Sequence, residues 1–357
     1  MVAGEGYIRP PRLLLLHPLY PYLHHPPPQR SRRPLLHQRH QIIREIRRFF
    51  DSQSFLEVQT PLLVCNPGLE PHLLPFETLF EPSMGAGSAR NLYLPTSPEY
   101  HLKKALSWGL PRIFEITKSF RNGEQSQQHE PEFLMLEWYR APGNYRDIAQ
   151  DFEALLKALS VHSKDPQRWR EAQHLTVQDA FQKWAGVDLD AAMKSSAQDL
   201  AVQGRHAGCL SLQGHESFDE AFEILLVDRV ERSLKSEGLV FLWDYPSSQA
   251  ALSRRIEGRP LWCERFEVYF EGIELANAFG ELTDSIEQRS RCVADQEKRR
   301  RLYPDRRVPP LDEEFLDALT RLPPAGGIAV GLDRCIQCLL DLPTLQAAIA
   351  FTHRNSV

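Results

Sequence analysis

The apolar positions set out the first regular element near His40. Ile42, Ile43, Ile46, Phe49 and Phe50 recur at helical spacing, with Arg44, Arg47 and Arg48 between them, which predicts an amphipathic helix. Phe55-Leu-Glu-Val-Gln-Thr60 then alternates like a strand and stops at Pro61, which cannot continue a ladder. Further strands are predicted at Leu92 to Leu94, Arg112 to Thr117, Phe133 to Tyr139, Leu239 to Trp243, on both sides of Glu271-Gly272, and at Gly327 to Gly331. Helical patterning dominates from about Tyr145 to Ser236. It returns in a charged helix from about Asp284 to Tyr303 and in an apolar one from Leu332 to Leu340. Strands linked locally, with helices inserted between them, predict an α+β fold: a mainly antiparallel sheet flanked by helices. No internal repeat is visible.

Residues 1–36 differ from the rest. They carry Pro26-Pro27-Pro28, His24-His25 and a cluster of arginines, and proline blocks helix formation. A disordered or extended arm is expected there, followed by one folded domain over 37–357. His24-His25 could bind a metal or nucleic acid; a solvated tail is the plainer reading.

Composition narrows the class. The chain of 357 residues is long enough for one large domain or two modest ones. Its hydrophobic and charged fractions, 42% and 25%, are those of an ordinary soluble protein. A formal charge of −5 gives no global basic excess for nucleic-acid binding. Six cysteines are too sparse for a disulfide scaffold, so reduced thiols and a cytoplasmic setting are expected. The close pair Cys335 and Cys338 reads as two buried thiols on a helix, because zinc needs about four ligands. No apolar run reaches the ~18–20 residues of a membrane span, and Leu13 to Leu16 is too short for a signal segment.

Four stretches carry candidate chemistry. Phe120-Arg121-Asn122 leads into a polar loop that ends at His129-Glu-Pro-Glu-Phe133. An arginine at a strand end can grip a phosphate through its rigid fork of donors, and an aromatic on the returning strand can stack a base. A surface hairpin is the bland alternative. The second stretch runs from Glu264 to Glu281. If Glu271-Gly272 is a two-residue turn, Phe270 faces Ile273, Tyr269 faces Glu274 and Glu267 faces Ala276. Glu267 and Glu274 would then share one face at about 7–8 Å, where two carboxylates can hold Mg²⁺ together with phosphate oxygens. A solvated sheet face is the other reading. The third, Gly326-Gly327-Ile-Ala-Val-Gly331-Leu-Asp333-Arg334, lets a backbone approach a ligand but fits neither dinucleotide nor Walker spacing. In the fourth, Ser97 and Pro98 suit a helix start, which leaves Glu99 unexplained.

Taken together and in this order, these segments resemble a class II aminoacyl-tRNA synthetase core. Residues near 41–61 look like motif 1, which builds the dimer interface in that family; those near 112–140 look like motif 2 and those near 326–340 like motif 3. The wording is closest to the lysyl-tRNA synthetases, through Pro98-Glu99, Glu132-Phe133, Glu137-Trp-Tyr139, Glu264-Arg-Phe-Glu267 and Ile273-Glu274-Leu-Ala-Asn277. Only about forty, proline-rich residues precede motif 1, where those synthetases carry an anticodon-binding domain. That pattern, with Ala329 in place of the synthetases' usual glycine, resembles truncated lysyl-tRNA synthetase-like paralogues, which attach (R)-β-lysine to a lysine of elongation factor P.

The resemblance implies a role for each residue. Arg121 and Arg334 would be the catalytic arginines, with Arg121 on the α-phosphate. Phe133 and Arg334 would sandwich adenine; Asn122, Glu124, His129, Leu275 and Gly331 would line the ATP site. Glu267 and Glu274 would hold Mg²⁺. Ser97, Pro98 and Glu99 would receive the substrate amino group, with Tyr139, Asn277 and Ala329 in the same pocket. Glu137 and Glu281 would pair the side-chain ammonium. Two departures stand out. Arg121-Asn122-Gly123 replaces the family's Arg-Asn-Glu, so either Glu124 or backbone groups serve adenine, and Glu130 stands where the family has asparagine. The implied enzyme is an ATP-dependent ligase acting on elongation factor P, homodimeric, with tRNA an unexpected acceptor. The alternatives are a minimal tRNA synthetase, an amidating enzyme, and a non-catalytic regulator that binds ATP or an amino acid.

Overall fold

The computed structural model describes residues 29–82, 88–196, 198–250 and 252–352. One sheet of nine strands organises the chain. Across it run β1 (Leu56–Glu57), β4 (Arg112–Phe120), β5 (Glu132–Arg140), β11 (Gly326–Gly331), β10 (Ile273–Gly280), β9 (Arg259–Phe270), β7 (Leu239–Pro246) and β6 (Gln173–Thr176), with β8 (Arg255–Ile256) added to β9. β2 (Phe76–Phe80) and β3 (Arg90–Leu94) form a separate antiparallel pair. Only the outer pairs β1–β4 and β6–β7 are parallel, as the expected mainly antiparallel α+β fold requires.

Period-two alternation decides what each face carries. Leu136 and Trp138 of β5, Phe266 and Val268 of β9, and Ile328 and Val330 of β11 are buried in one core. Helices Gln29–Ser52, Tyr145–Leu159 and Leu332–Leu339 cover it with Ile42, Ile46, Phe50, Phe152 and Ile336. The intervening residues, among them Glu137, Glu267 and Ala329, face the other way. Two smaller apolar clusters cover that second face. One gathers Phe181, Phe222 and Leu225 on Val240 and Tyr245; the other gathers Tyr100, Leu106 and Phe315 on Ile113 and Tyr139. A cavity lies over the middle strands β5, β11 and β10.

Four expectations are corrected here. The arm does not extend to residue 36, because the first helix begins at Gln29 and runs through Pro34. Tertiary bonds hold this turn: Arg32 donates to the Ala350 carbonyl at 2.7 Å, and Arg39 pairs with Asp333 at 2.6 Å. His24-His25 and Leu13 to Leu16 lie outside the described residues. The strand expected over 55–60 pairs only at Leu56–Glu57; the Thr60 N–H donates instead to the Glu115 carboxylate at 2.9 Å. The helical stretch after Tyr145 is interrupted by β6, a short edge strand whose polar Gln173 and His174 give no alternating signal.

The fourth correction bears on the site. Phe270 faces Ile273 and Tyr269 faces Glu274, as the two-residue turn predicts. Beyond Glu274 the register slips, so Ala276 faces Val268, and Glu267 faces Asn277 instead of Ala276. The cause is a β-bulge, which inserts Leu275 as one extra residue. Glu274 and Asn277 are an odd number of residues apart, yet the bulge turns both towards the cavity while Ala276 and Ala278 join the core.

Candidate active site

A row of cross-strand partners runs beneath the cavity. Glu137 stands opposite Ala329, Ala329 opposite Asn277, and Asn277 opposite Glu267. At about 4.8 Å per strand, three steps separate Glu137 from Glu267 by roughly 15 Å. The cavity above this row encloses about 410 Å³, within the usual size of a small-molecule site. Its two ends differ in chemistry.

The Glu137 end is acidic. Ser97 accepts a hydrogen bond from the Glu99 N–H at 3.0 Å, although Pro98 and not Ser97 caps the helix Glu99–Leu106, and its hydroxyl donates to Glu137 Oε1 at 2.6 Å. Tyr139 donates to Glu137 Oε2 at 3.1 Å. Glu137 is fully buried, and burial, reinforced by the nearby Glu99, raises its carboxyl well above the usual range. Ser97 and Tyr139 fill two of a carboxylate's four acceptor positions. Glu99 lines the cavity, and its Oε1 lies 2.6 Å from Lys103. The same ammonium lies 2.5 Å from Glu281 Oε2, so Glu281 already has a cationic partner within the chain. Gly327 is required beside them: a Cβ there would stand 2.2 Å from the Tyr139 ring and 2.5 Å from Glu281 Oε1.

The opposite end gathers arginines. Arg121 lies at the end of β4, its guanidinium 5.1 Å from the Phe133 ring centroid. Arg334 begins the helix after β11 and donates to the Glu274 carbonyl at 3.0 Å. His129 accepts from or donates to Ser126 at 2.8 Å; burial and the adjacent Arg334 lower its pKa, which favours the neutral ring. Gly123 sits at φ +90°, a conformation that glycine adopts freely, and Glu124 reaches the cavity wall 3.7 Å from Arg121. Glu130 is largely buried at the cavity wall, with Gln346 donating to it at 2.9 Å. A Cβ on Gly331 would meet only ordinary contacts, so the space its absence leaves belongs to the cavity.

Most residues read from the sequence converge. Ser97, Glu99, Asn277 and Ala329 line one part of the wall; Arg121, Glu124, His129, Phe133, Glu274, Leu275, Gly331 and Arg334 line the rest. Pro98, Asn122, Glu137, Tyr139, Glu267 and Glu281 do not reach it. The Asn122 N–H instead ties the loop to the Leu74 carbonyl at 2.7 Å. Glu267 accepts from Tyr245 and Tyr269, each at 2.6 Å, and from Arg265 at 2.5 Å. Three of its four acceptor positions are thereby filled. Among the described residues, no three His, Cys, Asp or Glu side chains gather as a ready metal site. Cys335 and Cys338 are buried, and burial pushes the Cys335 thiol up to about 12. The wall also contains Glu70, His72, Glu223 and Arg265, to which the sequence assigned no role. Arg265 had a signal, two places before Glu267 on the same strand face; Glu70 had none.

This fold and this cavity belong to an adenylate-forming synthetase core. A family model described as tRNA synthetases class II (D, K and N) matches residues 19–355, and the chain belongs to that family. Within it, the chain is similar to proteins named elongation factor P–(R)-β-lysine ligase. The one from Erwinia tasmaniensis is 39% identical over 312 residues, covering 87% of this chain and 92% of the relative. The one from Salmonella paratyphi B is 38% identical over 321 residues, covering 89% and 95%.

Proposed function

We propose that the chain is an ATP-dependent ligase: it activates (R)-β-lysine as an acyl-adenylate and transfers it to the ε-amino group of a lysine of elongation factor P. The observation that carries this reading is the polarity of the cavity. Glu99 lines one end, with Glu137 buried behind Ser97, and Arg121 and Arg334 mark the other. A cationic amino acid and an anionic nucleotide fit those ends and bring their reacting groups together between them. The names of the relatives favour the same substrate and acceptor.

In this scheme a carboxylate oxygen of the amino acid attacks the α-phosphorus of ATP, and pyrophosphate leaves. Arg121 stabilises the charge that builds on the α-phosphoryl oxygens, and a donor fixed in place is worth more there than in water. Phe133 and Arg334 hold adenine, with Glu124 nearby in the loop. The acceptor amine then attacks the acyl carbon, the carbon–oxygen bond to phosphate breaks, and AMP departs. Glu274, 40% exposed at the cavity, is the carboxylate best placed to hold Mg²⁺, whereas Glu267 does not reach the cavity. Bound there, the ion would neutralise phosphate charge.

Two finer points belong to the same proposal. Homodimerisation through motif 1 is supported by the exposed Leu56, Leu62 and Leu63. The second is a cytoplasmic setting; among the described residues no helix is long and apolar enough to cross a membrane. The test is amino-acid-dependent ATP–pyrophosphate exchange, followed by acyl transfer offered elongation factor P and lysine tRNA side by side. Transfer to the tRNA alone would contradict the proposal.

A further inference from the structure

The helix Ser285–Leu302 ends in a concentration of positive charge. Arg299, Arg300 and Arg301 occupy its last turn, and Arg306 and Arg307 follow beyond it. The Gln296 side chain donates to the Pro309 carbonyl at 2.7 Å, and the Arg306 N–H to the Tyr303 carbonyl at 3.0 Å. The chain thus folds back and closes residues 297–308 as one lobe. With Lys298, the lobe holds six cations against two acids, Glu297 and Asp305, in a chain whose formal charge is −5. A helix dipole favours cations in the last turn, but it gives no reason for Arg306 and Arg307. Arg300, Arg301 and Arg306 are exposed, and among the described residues none of the three forms an ion pair.

The lobe is fastened to the edge of the cavity. Arg299 is 2% exposed and turns inward, donating to the carbonyls of Glu70 at 2.8 Å and Leu73 at 2.6 Å. The stretch from Glu70 to Leu73 is cavity wall. His72 within it lines the cavity and is also exposed, so this stretch belongs to the rim. Burial lowers the pKa of His72, and the charges of Lys298 and Arg299 beside it lower it further. One buried arginine therefore anchors the exposed ones next to the opening.

We propose that the lobe of residues 297–308 is the docking surface for an acidic face of the protein acceptor, with Arg300, Arg301 and Arg306 meeting carboxylates that flank the acceptor lysine. This rests on the reading of the chain as a ligase that modifies a protein. The side chain that enters the cavity is itself a cation, which these arginines repel. Carboxylates beside it on the partner cancel that repulsion and fix the direction of approach. Exposed charge of one sign also speeds encounter with an opposite surface, in a way that salt weakens. The rest of the chain is net acidic, which opposes a long polyanion such as tRNA more than a compact acidic patch.

The test compares the wild-type full chain with the triple variant Arg300→Glu/Arg301→Glu/Arg306→Glu. Two reactions are followed. One is ATP–pyrophosphate exchange with (R)-β-lysine, which needs no acceptor. The other is β-lysyl transfer to elongation factor P, over a range of acceptor and NaCl concentrations. The docking surface predicts unchanged exchange and an acceptor KM raised about tenfold or more, with the rate at saturating acceptor kept and the salt dependence of wild type lost. An acceptor KM equal to that of wild type overturns it; if binding of lysine tRNA weakens at the same time, the lobe is an RNA surface instead. Should charge reversal abolish exchange, Arg→Gln at the same three positions decides by the same constants. Wild-type protein that exchanges but modifies no elongation factor P defeats the functional reading as well; active wild type with an indifferent triple variant defeats the docking surface alone.

Discussion

Lys103 and Glu281 form a 2.5 Å ion pair in which the lysine side chain is fully buried and the glutamate 1% exposed. Glu99, one helical turn before Lys103, completes the triad at 2.6 Å. Breaking such a pair strands a buried charge, which typically costs about 3–5 kcal/mol. Lys103→Met should therefore lose stability on that scale in urea unfolding at pH 8. Adding Glu281→Gln should recover part of the loss, because the second change removes the stranded carboxylate. Simple additivity of the two changes would contradict the pairing.

Arg121 is expected to act on the chemical step more than on amino-acid binding. Its Nε is buried without a hydrogen-bond partner, and its guanidinium already lies against Phe133. Arg121→Ala should slow adenylate formation by about 10²–10³-fold, in the range of a lost transition-state donor. The KM for the amino acid should change far less. Single-turnover formation of the adenylate measures the first, pyrophosphate exchange the second.

Ala329 has Glu137 on one side and Asn277 on the other in the cross-strand row. Its methyl is the only side-chain carbon that β11 adds to the wall at that point. Ala329→Gly should shift the kcat/KM ratio between (R)-β-lysine and α-lysine towards the α form. A single methyl limits the shift to about 10–200-fold. A ratio that does not move would show that the methyl takes no part in the choice.

The raised Glu70 carboxyl has a signed consequence for stability. Its pKa rises from 4.5 to about 7, through burial first and then Glu99, with Asp295 also raising it and Arg299 lowering it. The folded state thus holds the proton more tightly than the unfolded chain. Stability from this group is present below about pH 4.5 and falls as pH rises towards 7. Glu70→Gln should gain Tm relative to wild type as pH rises through that window, with little difference at its acid end. Parallel Tm curves across it would contradict the shift.

The sequence made much of this legible, for physical reasons that differ from place to place. Arg121, Phe133 and Arg334 stand at the ends of strongly patterned strands, so residue type and strand position together disclosed them. The turn at Glu271-Gly272 fixed the first two pairs of the hairpin. The bulge at Leu275 was hidden, because it depends on Ala276 and Ala278 packing into a core made by distant helices. Lys103 looked like one charge on an amphipathic helix until the fold brought Glu281 to it. Glu70 lies in a segment without periodicity, and its placement depends on Arg299 far along the chain.

The central claim is that this cavity activates a lysine-type amino acid for transfer to a protein. It is tested most directly by incubating the purified chain with ATP, Mg²⁺, (R)-β-lysine and elongation factor P, then weighing the intact acceptor. The account predicts one added β-lysyl group on a single lysine, dependent on both ATP and the amino acid and lost in Arg121→Ala. An unmodified elongation factor P, from protein that forms the adenylate and passes it to lysine tRNA instead, would contradict it.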